Sequence, residues 1–321
     1  MPPPSDTETL SLTDKIYREL CRVIEGQEQP LQHLLTALVA GGHVLLEGVP
    51  GVAKTLIVRS LAAALAVSFG RIQFTPDLMP ADILGVNVFD GKTSEFRFRP
   101  GPLFADVVLA DEINRAPAKT QAALLEAMQE QQISSDGETH PLSPIFTVVA
   151  TQNPIEYEGT YPLPEAQLDR FLMKILVEYP SAAAEKAMLL KMHQLGEHAR
   201  HPAQVIQAVA NSDDLLRLRH TAHQVEVDQA VLTYIVDLIR QSRALPSLSL
   251  GASPRASVML LQAAKALATL HSRTYVTPDD VRELVFPVLR HRIHLTPEAE
   301  IEGLTPDACL ESLLKHVAIP R

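Results

Sequence analysis

The feature that most restricts this chain is a short apolar segment, His43–Glu47, that runs directly into a glycine-containing turn. The turn reads Gly48-Val49-Pro50-Gly51-Val52-Ala53-Lys54-Thr55, and a segment rich in leucine and alanine follows it. A strand, a glycine-containing turn and a helix in immediate succession form the unit in which backbone N–H groups can surround a phosphate. The same succession favours an α/β fold for this part of the chain.

Each residue type in this turn suits phosphate binding. Glycines allow the backbone N–H groups to fold around a β-phosphate, and the N-terminus of the following helix adds partial positive charge. Lys54 is expected to reach the β- and γ-phosphates, and the Thr55 hydroxyl to ligate Mg²⁺. The predicted nucleotide-binding set comprises Gly48, Val49, Pro50, Gly51, Val52, Ala53, Lys54, Thr55 and Leu56.

Ala53 departs from the general pattern, which has glycine before the lysine. Alanine fits there if its backbone is already helical, because only a positive φ would penalise its Cβ. The alternative for the whole motif is a Gly/Pro turn between strand and helix, followed by a chance Lys-Thr pair.

A second apolar segment, Val107–Ala110, ends in two adjacent acids, Asp111 and Glu112. Asp111 is predicted to hold the Mg²⁺ shell, and Glu112 to polarise an attacking water. The alternative is a strand that ends in two solvated acids. Because the pair follows the glycine-containing turn at a normal distance within one domain, the functional interpretation is favoured.

The pattern of elements predicts two architectures in succession. Short apolar segments with both faces apolar suggest buried parallel strands, separated by helices. The predicted strands are His43–Glu47, Arg71–Phe74, Asp106–Ala110, Phe146–Thr151 and Met173–Val177. From about residue 181 the pattern is helix after helix, with Thr277 as a strong helix N-cap. We therefore predict a loose N-terminus at 1–10, an α/β domain at 11–180 and a helical domain at 181–321.

Composition narrows the partners and the compartment. The 321 residues carry a formal net charge of −10, which weighs against binding to a nucleic-acid backbone. The two cysteines, Cys21 and Cys309, lie far apart and suggest free thiols in a reducing compartment. The N-terminus lacks the features of a signal peptide, and no apolar stretch is long enough to span a bilayer. These features predict a cytoplasmic protein.

Six ordered motifs together resemble the MoxR family of AAA+ ATPases, within the group that includes magnesium-chelatase ATPase subunits. The resemblance covers about residue 15 to about residue 318. The motifs are the Gly48–Thr55 turn, FTPDLMPADILG at Phe74–Gly85, LADEINRAP at Leu109–Pro117, ATQNP at Ala150–Pro154, LPEAQLDRF at Leu163–Phe171 and GASPRA at Gly251–Ala256. In this family alanine before the lysine is normal. The resemblance implies a P-loop AAA+ parallel sheet flanked by helices, followed by an all-α lid.

The family implies roles for further residues. Asn153 resembles the sensor 1 residue, which orients water near the γ-phosphate, and Arg170 resembles the arginine finger that acts on a neighbouring subunit's nucleotide. Arg255 resembles the sensor 2 arginine of the lid, with action on its own or on a neighbour's nucleotide left open. The segment that packs on adenine is matched by Val23, Ile24, Gly26 and Gln27. The alternatives are an Asn-Pro turn, a surface arginine paired with Asp169, and a helix end followed by a turn.

Two insertions, at about residues 86–102 and 132–145, suggest hairpins that contact a client or lie on the surface without such a role. His291 and His294, near a helix end, are interpreted as capping or surface residues rather than metal ligands. Arg290, His291 and Arg292 are expected to suit the negative end of that helix.

The resulting hypothesis is Mg²⁺-dependent ATP hydrolysis, with ADP as product, by a homo-oligomeric ring of six copies. The ring would remodel or mature a protein client, with a von Willebrand A-domain protein as a possible partner implied by the family. Two alternatives remain open: a nucleic-acid motor, for which Arg97 and Arg99 are a faint hint, and a non-catalytic scaffold switched by ATP.

Overall fold

The computed structural model describes residues 11–135, 137–154, 161–196 and 200–320. Its strands, in chain order, are β1 (Val44–Glu47), β2 (Phe69–Gln73), β3 (Gly85–Asp90), β4 (Glu95–Pro100), β5 (Val107–Asp111), β6 (Gln132–Ser135), β7 (Glu138–Pro141), β8 (Thr147–Gln152), β9 (Met173–Leu176), β10 (Leu248–Leu250) and β11 (His294–Leu295). Its first helices are α1 (Leu12–Leu20), α2 (Glu28–Ala40), α3 (Lys54–Ala64), α4 (Pro80–Leu84), α5 (Ala118–Glu130) and α6 (Glu165–Leu168). The later helices are α7 (Ala182–Leu195), α8 (Ser212–Gln224), α9 (Gln229–Ser242), α10 (Pro254–Leu270), α11 (Pro278–Leu289), α12 (Pro297–Ile301) and α13 (Pro306–His316).

A five-stranded parallel sheet lies at the centre, with the order β2-β5-β8-β1-β9. All five residues of β5 are buried, as expected for an inner strand that is covered on both faces. The five predicted strands are confirmed to within two residues at each end. Because the strands are parallel, the loops that follow them all leave from one edge of the sheet, which we call the carboxyl edge.

The helices after β9 pack on one flank of the sheet. Helix α10 contacts α2, α8, α9 and α11, and α11 also contacts β9. One hydrophobic cluster contains Leu38 of α2, Val44 of β1, Leu267 of α10 and Leu284 of α11, so the helical part shares its core with the sheet. The predicted fold class, a parallel sheet flanked by helices and followed by a helical lid, is confirmed.

Helix α11 begins as the sequence predicts, and at its end one of the three basic residues has the predicted role. Thr277 and Asp280 form a capping box, and Pro278 occupies the first turn. At the other end, Arg292 has the expected role, because its Nη1 donates to the carbonyl oxygen of Val288 in the last turn, whereas Arg290 and His291 have other partners. Arg290 pairs with Asp307 at 2.8 Å, and His291 is 5% exposed with its Nε2 3.1 Å from the carbonyl oxygen of Phe171. The interpretation of His291 as a capping or surface residue fails because distant segments pack over it.

Two hairpins project from the α/β part. Strands β3 and β4 form one, and β6 and β7 form the other, with residue 136 outside the described residues. The ring of Phe98 stacks on that of His140 with centroids 4.0 Å apart, so the two hairpins touch at their bases. Both predicted insertions are therefore hairpins in the structure. No helix in the described ranges is both long and apolar enough to cross a membrane.

Candidate nucleotide-binding site

The glycine-containing turn lies at the carboxyl edge, between the end of β1 and the start of α3. Gly48 approaches the backbone beyond β9 so closely that a Cβ there would lie 2.3 Å from the carbonyl oxygen of Val177. Gly51 has a φ of +89°, which favours glycine. The turn therefore depends on both glycines, one for close approach and one for its backbone conformation.

Ala53 also has a positive φ, of 64°, with a ψ of 19°. The condition under which alanine fits without strain, a helical backbone, is therefore not met, because α3 begins one residue later, at Lys54. An L-residue with a side chain in this left-handed region costs about 1 kcal/mol or more relative to a right-handed one. The turn therefore contains a strained residue immediately before the lysine.

Lys54 folds its side chain back over the turn. Its Nζ donates to the carbonyl oxygens of Gly48 and Val49, the latter at 3.2 Å. Burial lowers the pKa of the ammonium, and the charges of Asp111 and Glu112, together with that of Glu47, oppose this effect. The only positive charge supplied by the turn's own side chains is thus held beside three carboxylates.

Asp111 is the last residue of β5, which lies two strands from β1 in the sheet, and its side chain reaches Thr55 at the end of the turn. Its Oδ1 accepts a hydrogen bond from the Thr151 hydroxyl at 2.7 Å, and its Oδ2 lies 3.5 Å from the Thr55 hydroxyl. The Arg71 guanidinium also donates to Oδ2, from Nη2 at 2.7 Å. The two predicted metal ligands, Thr55 and Asp111, therefore lie side by side.

Glu112 is the residue after β5, in a left-handed conformation with φ 58°. Its N–H donates to the Thr151 hydroxyl at 2.9 Å. Its carboxylate Oε2 accepts from the Gln73 amide at 2.9 Å and lies 3.2 Å from Nε of Arg115. The Thr151 hydroxyl thus holds the strand end that carries both acids, while Gln73 and Arg115 fix the position of the Glu112 side chain.

Asn153 follows β8, whose last residue pairs with Glu47 of β1. Because β8 lies between β5 and β1, Asn153 leaves the sheet between the two acids and the glycine-containing turn. This position is the one expected of a residue that contacts a terminal phosphate or its water.

The segment predicted to pack on adenine divides into two parts. Val23 and Ile24 are buried in the hydrophobic core, whereas Gly26 and Gln27 line a cavity of about 410 Å³. Tyr179, whose exposed fraction is 70%, lines this cavity and also the neighbouring one beside Gly48 and Val49. Of the predicted segment, Gly26 and Gln27 therefore line a cavity, whereas Val23 and Ile24 contribute to the core.

Arg170 lies at the opposite edge of the sheet, just before β9. Its Nη1 donates to the carbonyl oxygen of Leu125 at 2.7 Å, and the N–H of Leu172 nearby bonds to His43 at the start of the sheet. Strands of four to six residues place this edge roughly 13–20 Å from the carboxyl edge. The alternative of an Arg170–Asp169 pair is wrong, because Asp169 pairs with Arg292 at 2.7 Å.

Arg255, at the start of α10, belongs to the same opposite edge. Burial lowers the pKa of Arg292 to about 10, Asp169 raises it, and the charge of Arg255 lowers it further. Arg255 is therefore near Arg292 and Asp169. Arg170, which follows Asp169, and Arg255, which lies two residues after the Ser253 that shares a cavity with Asp169 and Arg292, are therefore on the far side of the sheet from the glycine-containing turn.

Comparisons with known proteins identify the family to which this chain belongs. The model described as "ATPase family associated with various cellular activities (AAA)" matches residues 43–173, and an AAA lid domain matches residues 240–313. The chain is 43% identical to chaperone MoxR1 of Mycobacterium tuberculosis, over 99% of this chain and 86% of that one. The chain belongs to the MoxR family of AAA ATPases.

The chain is also similar to two further relatives and to a solved structure. Protein MoxR of Paracoccus denitrificans is 32% identical over 93% of each chain. Protein YeaC of Bacillus subtilis, which has no assigned function, is 47% identical over 96% of this chain and 95% of its own. A crystal structure of a candidate ATPase from Cytophaga hutchinsonii superposes with a TM-score of 0.87 at 39% identity, covering 97% and 96% of the two chains.

The residues of this MoxR-family ATPase suit the nucleotide and metal that the family implies. Mg²⁺ prefers hard oxygen ligands, and the Thr55 hydroxyl and Asp111 carboxylate supply two of them at adjoining positions. Free backbone N–H groups of the turn and of the first turn of α3 suit phosphate oxygens. ATP or ADP would therefore be held by Gly48–Thr55, with the metal at Thr55 and Asp111.

Sequence reasoning missed four residues of the site: Arg71, Gln73, Thr151 and Tyr179. A signal for the first two was present, because polar Arg71 and Gln73 flank buried Ile72 and so lie on one face of β2. The pattern alone does not indicate a functional site. It does so only together with the pairing of β2 and β5, which places Gln73 opposite Asp111.

Proposed function

We propose that this MoxR-type ATPase hydrolyses MgATP at sites that two neighbouring subunits complete together, and that the resulting motion remodels a protein client. The observation that carries the proposal is the separation of the site into two half-sites. The turn, Asp111 and Glu112 occupy one edge of the sheet, and Arg170 with Arg255 occupies the other. One subunit cannot bring both sets to the same phosphate.

The residues at the carboxyl edge divide the work of binding and hydrolysis. Lys54 and the backbone N–H groups of the turn hold the phosphates, and Thr55 with Asp111 holds Mg²⁺. When bound, Mg²⁺ supplies charge neutralisation at the phosphate oxygens. Glu112 polarises the attacking water, and Asn153 orients that water towards the terminal phosphate.

Arg170 of one subunit is proposed to neutralise the charge that develops on the nucleotide of the next subunit. An arginine finger contributes roughly 10³–10⁵ in rate in P-loop systems. Arg255 lies on the same edge, which favours action on the neighbour's nucleotide over action on its own. A contact between two different faces of one chain generates a closed ring when the rotation closes. We propose six copies, by resemblance to the family.

The hairpin of β3 and β4 is the proposed client contact. Phe89 and Phe96 are 55% and 72% exposed and pack edge to face with centroids 5.3 Å apart. Arg97, a faint hint of a nucleic-acid motor, has Asp90 and Glu95 within 3.9 Å, which partly compensate its charge, whereas Arg99 is exposed and has no ion pair among the described residues. An apolar protein segment suits this surface better than a nucleic acid does.

The client is proposed to be a protein complex that needs maturation in the cytoplasm, with a von Willebrand A-domain protein as partner. The chaperone name of the Mycobacterium tuberculosis relative supports a protein client. The net charge of −10 supports it as well.

A trapped variant tests the proposal. Glu112→Gln should bind ATP and release almost no phosphate, and it should hold the ring with its client attached. Proteins that co-purify with Glu112→Gln but not with Lys54→Ala, which should lose nucleotide binding, identify the client. If Glu112→Gln turns ATP over at the rate of the unmodified chain, the proposed role of Glu112 is wrong. DNA-stimulated hydrolysis with steep salt dependence would instead favour the nucleic-acid motor.

A further inference from the structure

One oxygen of Asp111 faces both the Thr55 hydroxyl and the Arg71 guanidinium. Oδ1 is engaged by the Thr151 hydroxyl, so Oδ2 is the oxygen that faces the Thr55 hydroxyl, 3.5 Å away. The same Oδ2 accepts hydrogen bonds from Arg71, from Nη2 at 2.7 Å and from Nε at 3.3 Å. A cation held between Thr55 and Asp111 would therefore share its carboxylate oxygen with a guanidinium.

Arg71 also reaches Glu112, through Gln73. The Nη2 group of Arg71 donates to Gln73 Oε1 at 2.8 Å, and Gln73 Nε2 donates to Glu112 Oε2 at 2.9 Å. The amide is oriented by these two contacts, since its oxygen must face the guanidinium and its nitrogen the carboxylate. A continuous chain of hydrogen bonds thus joins the two adjacent acids by way of β2.

The difference in burial between the two partners decides which of them moves. The side chain of Asp111 is 12% exposed, and Thr151 holds it in place. The side chain of Arg71 is 49% exposed and can turn into solvent. A divalent cation at Oδ2 is therefore expected to displace Arg71 rather than Asp111, because water compensates the exposed guanidinium for its lost partner.

We infer that Arg71 is a positioning residue that Mg²⁺ displaces: it neutralises Asp111 in the metal-free protein, and its departure loosens Gln73 and thereby Glu112. The inference rests on the proposed MgATP site. It adds a link between the metal ligand and the residue that polarises water, and it requires no contact between Arg71 and the nucleotide.

A titration of Mg²⁺ against a bound fluorescent ADP analogue tests the inference without any turnover. The affinity of the analogue is measured from excess EDTA up to saturating Mg²⁺, and the half-saturating Mg²⁺ concentration is compared between variants. Arg71→Met should lower this concentration by roughly three- to tenfold, since the metal no longer competes with a charge-assisted hydrogen bond. An unchanged or raised half-saturating concentration would overturn the inference.

Arg115→Gln is the matched control. It removes the same charge from the same site, but the Arg115 guanidinium contacts Glu112 and not Asp111. Its half-saturating Mg²⁺ concentration should stay within about twofold of the unmodified chain, because charges without a shared ligand interact weakly in solvent. Equal shifts in Arg71→Met and Arg115→Gln would show a general field effect and would contradict a specific role for Arg71. If Arg71→Met does not fold, Arg71→Gln takes its place.

The part of the inference that concerns Gln73 is tested by additivity. Gln73→Met removes one acceptor that holds Arg71 in place, so it should lower the half-saturating Mg²⁺ concentration by less than Arg71→Met does. The double variant should match Arg71→Met, since Gln73 acts on the metal through Arg71. If the fold-changes of the two single variants multiply in the double variant, Gln73 does not act through Arg71. Failure of the unmodified chain to bind the analogue at all would instead refute the proposed function.

Discussion

The two edges of the central sheet are built in opposite ways. At the carboxyl edge, charged side chains lie within hydrogen-bonding distance of one another and are partly open to solvent, as with Arg71 and Asp111. At the opposite edge, Arg292 is almost fully buried, and His43 and His291 are buried with it. The first edge is arranged to receive a charged ligand, and the second to hold lid and sheet together.

Two arginines at the opposite edge, Arg170 and Arg255, differ from their surroundings there. Arg170 and Arg255 lie beside the buried Asp169–Arg292 pair, yet neither of them forms an ion pair with an acid there among the described residues. A rigid, buried support that presents two arginines is what a catalytic contact to a neighbouring subunit requires. This arrangement is the basis of the proposal that the structural edge of one subunit serves as half of the catalytic site of the next.

The largest effect is expected from removing Arg170, the proposed arginine finger. Arg170→Ala should leave nucleotide affinity nearly unchanged and lower turnover by roughly 10³–10⁵. Mixing Arg170→Ala with Lys54→Ala should restore part of the activity, because some interfaces then combine an intact turn with an intact Arg170. Steady-state ATPase assays of the single and mixed proteins measure this, with Arg255→Ala as a second variant of the same edge.

The assay of mixed proteins can contradict the proposal that the two edges of neighbouring subunits form one site. If Arg170 acts within its own subunit, mixing with Lys54→Ala restores nothing. A loss of nucleotide binding in Arg170→Ala would mean that its hydrogen bond to the Leu125 carbonyl is structural.

The second effect concerns stability at the opposite edge. Asp169→Asn leaves Arg292 buried without its carboxylate and should lower the free energy of unfolding by about 3–5 kcal/mol. Glu311→Gln breaks the Lys315–Glu311 pair, whose side chains are exposed, and should cost at most about 1 kcal/mol. Urea denaturation of both variants measures the difference. Equal losses would contradict the structural role assigned to the buried pair.

The third effect is a dependence on pH from the same edge. The His43 Nδ1 accepts from the Val148 N–H at 3.0 Å, and its Nε2 lies 3.1 Å from the Met128 carbonyl oxygen, which fixes a neutral ring. Burial lowers the pKa of His43 to about 4 from 6.5, and the charge of Arg219 contributes. Because the folded pKa lies below the unfolded one, the stabilisation is complete above pH 6.5 and is lost as pH falls.

At pH 5.5 this contribution should be about 1.4 kcal/mol smaller than at neutral pH, since the unfolded state has bound a proton and the folded state has not. His33, whose pKa burial also lowers to about 4, should add a similar loss. His43→Gln should remove the contribution of His43, so the free energy of unfolding should fall by about 1.4 kcal/mol less between neutral pH and pH 5.5. Urea midpoints between pH 7.5 and 5.5 report this, and an unchanged slope would show that His43 is not buried as a neutral ring.

The sequence predicts the carboxyl edge far better than the opposite edge. The glycine-containing turn and the Asp111–Glu112 pair are contiguous segments whose local order already implies strand, turn and helix. The role of Arg71 could not be predicted in the same way, because it depends on which strand lies beside β5. The ion pair of Arg292 could not be predicted for a related reason, since its partner Asp169 lies 123 residues away in the chain and only tertiary packing brings them together.

The smallest effect concerns Ala53, whose backbone lacks the helical conformation in which alanine fits without strain. A helical Ala53 would make Ala53→Gly cost about 1 kcal/mol, as glycine does inside a helix. With the observed φ of 64°, glycine instead relieves strain, and the entropy of the unfolded chain offsets part of the gain. Ala53→Gly should therefore be neutral or stabilising by up to about 1 kcal/mol. Ala63→Gly, the same substitution within helix α3, should lose about 1 kcal/mol. Thermal unfolding of the two variants compares them directly, and equal losses would place Ala53 in the helix and remove the strain from this turn.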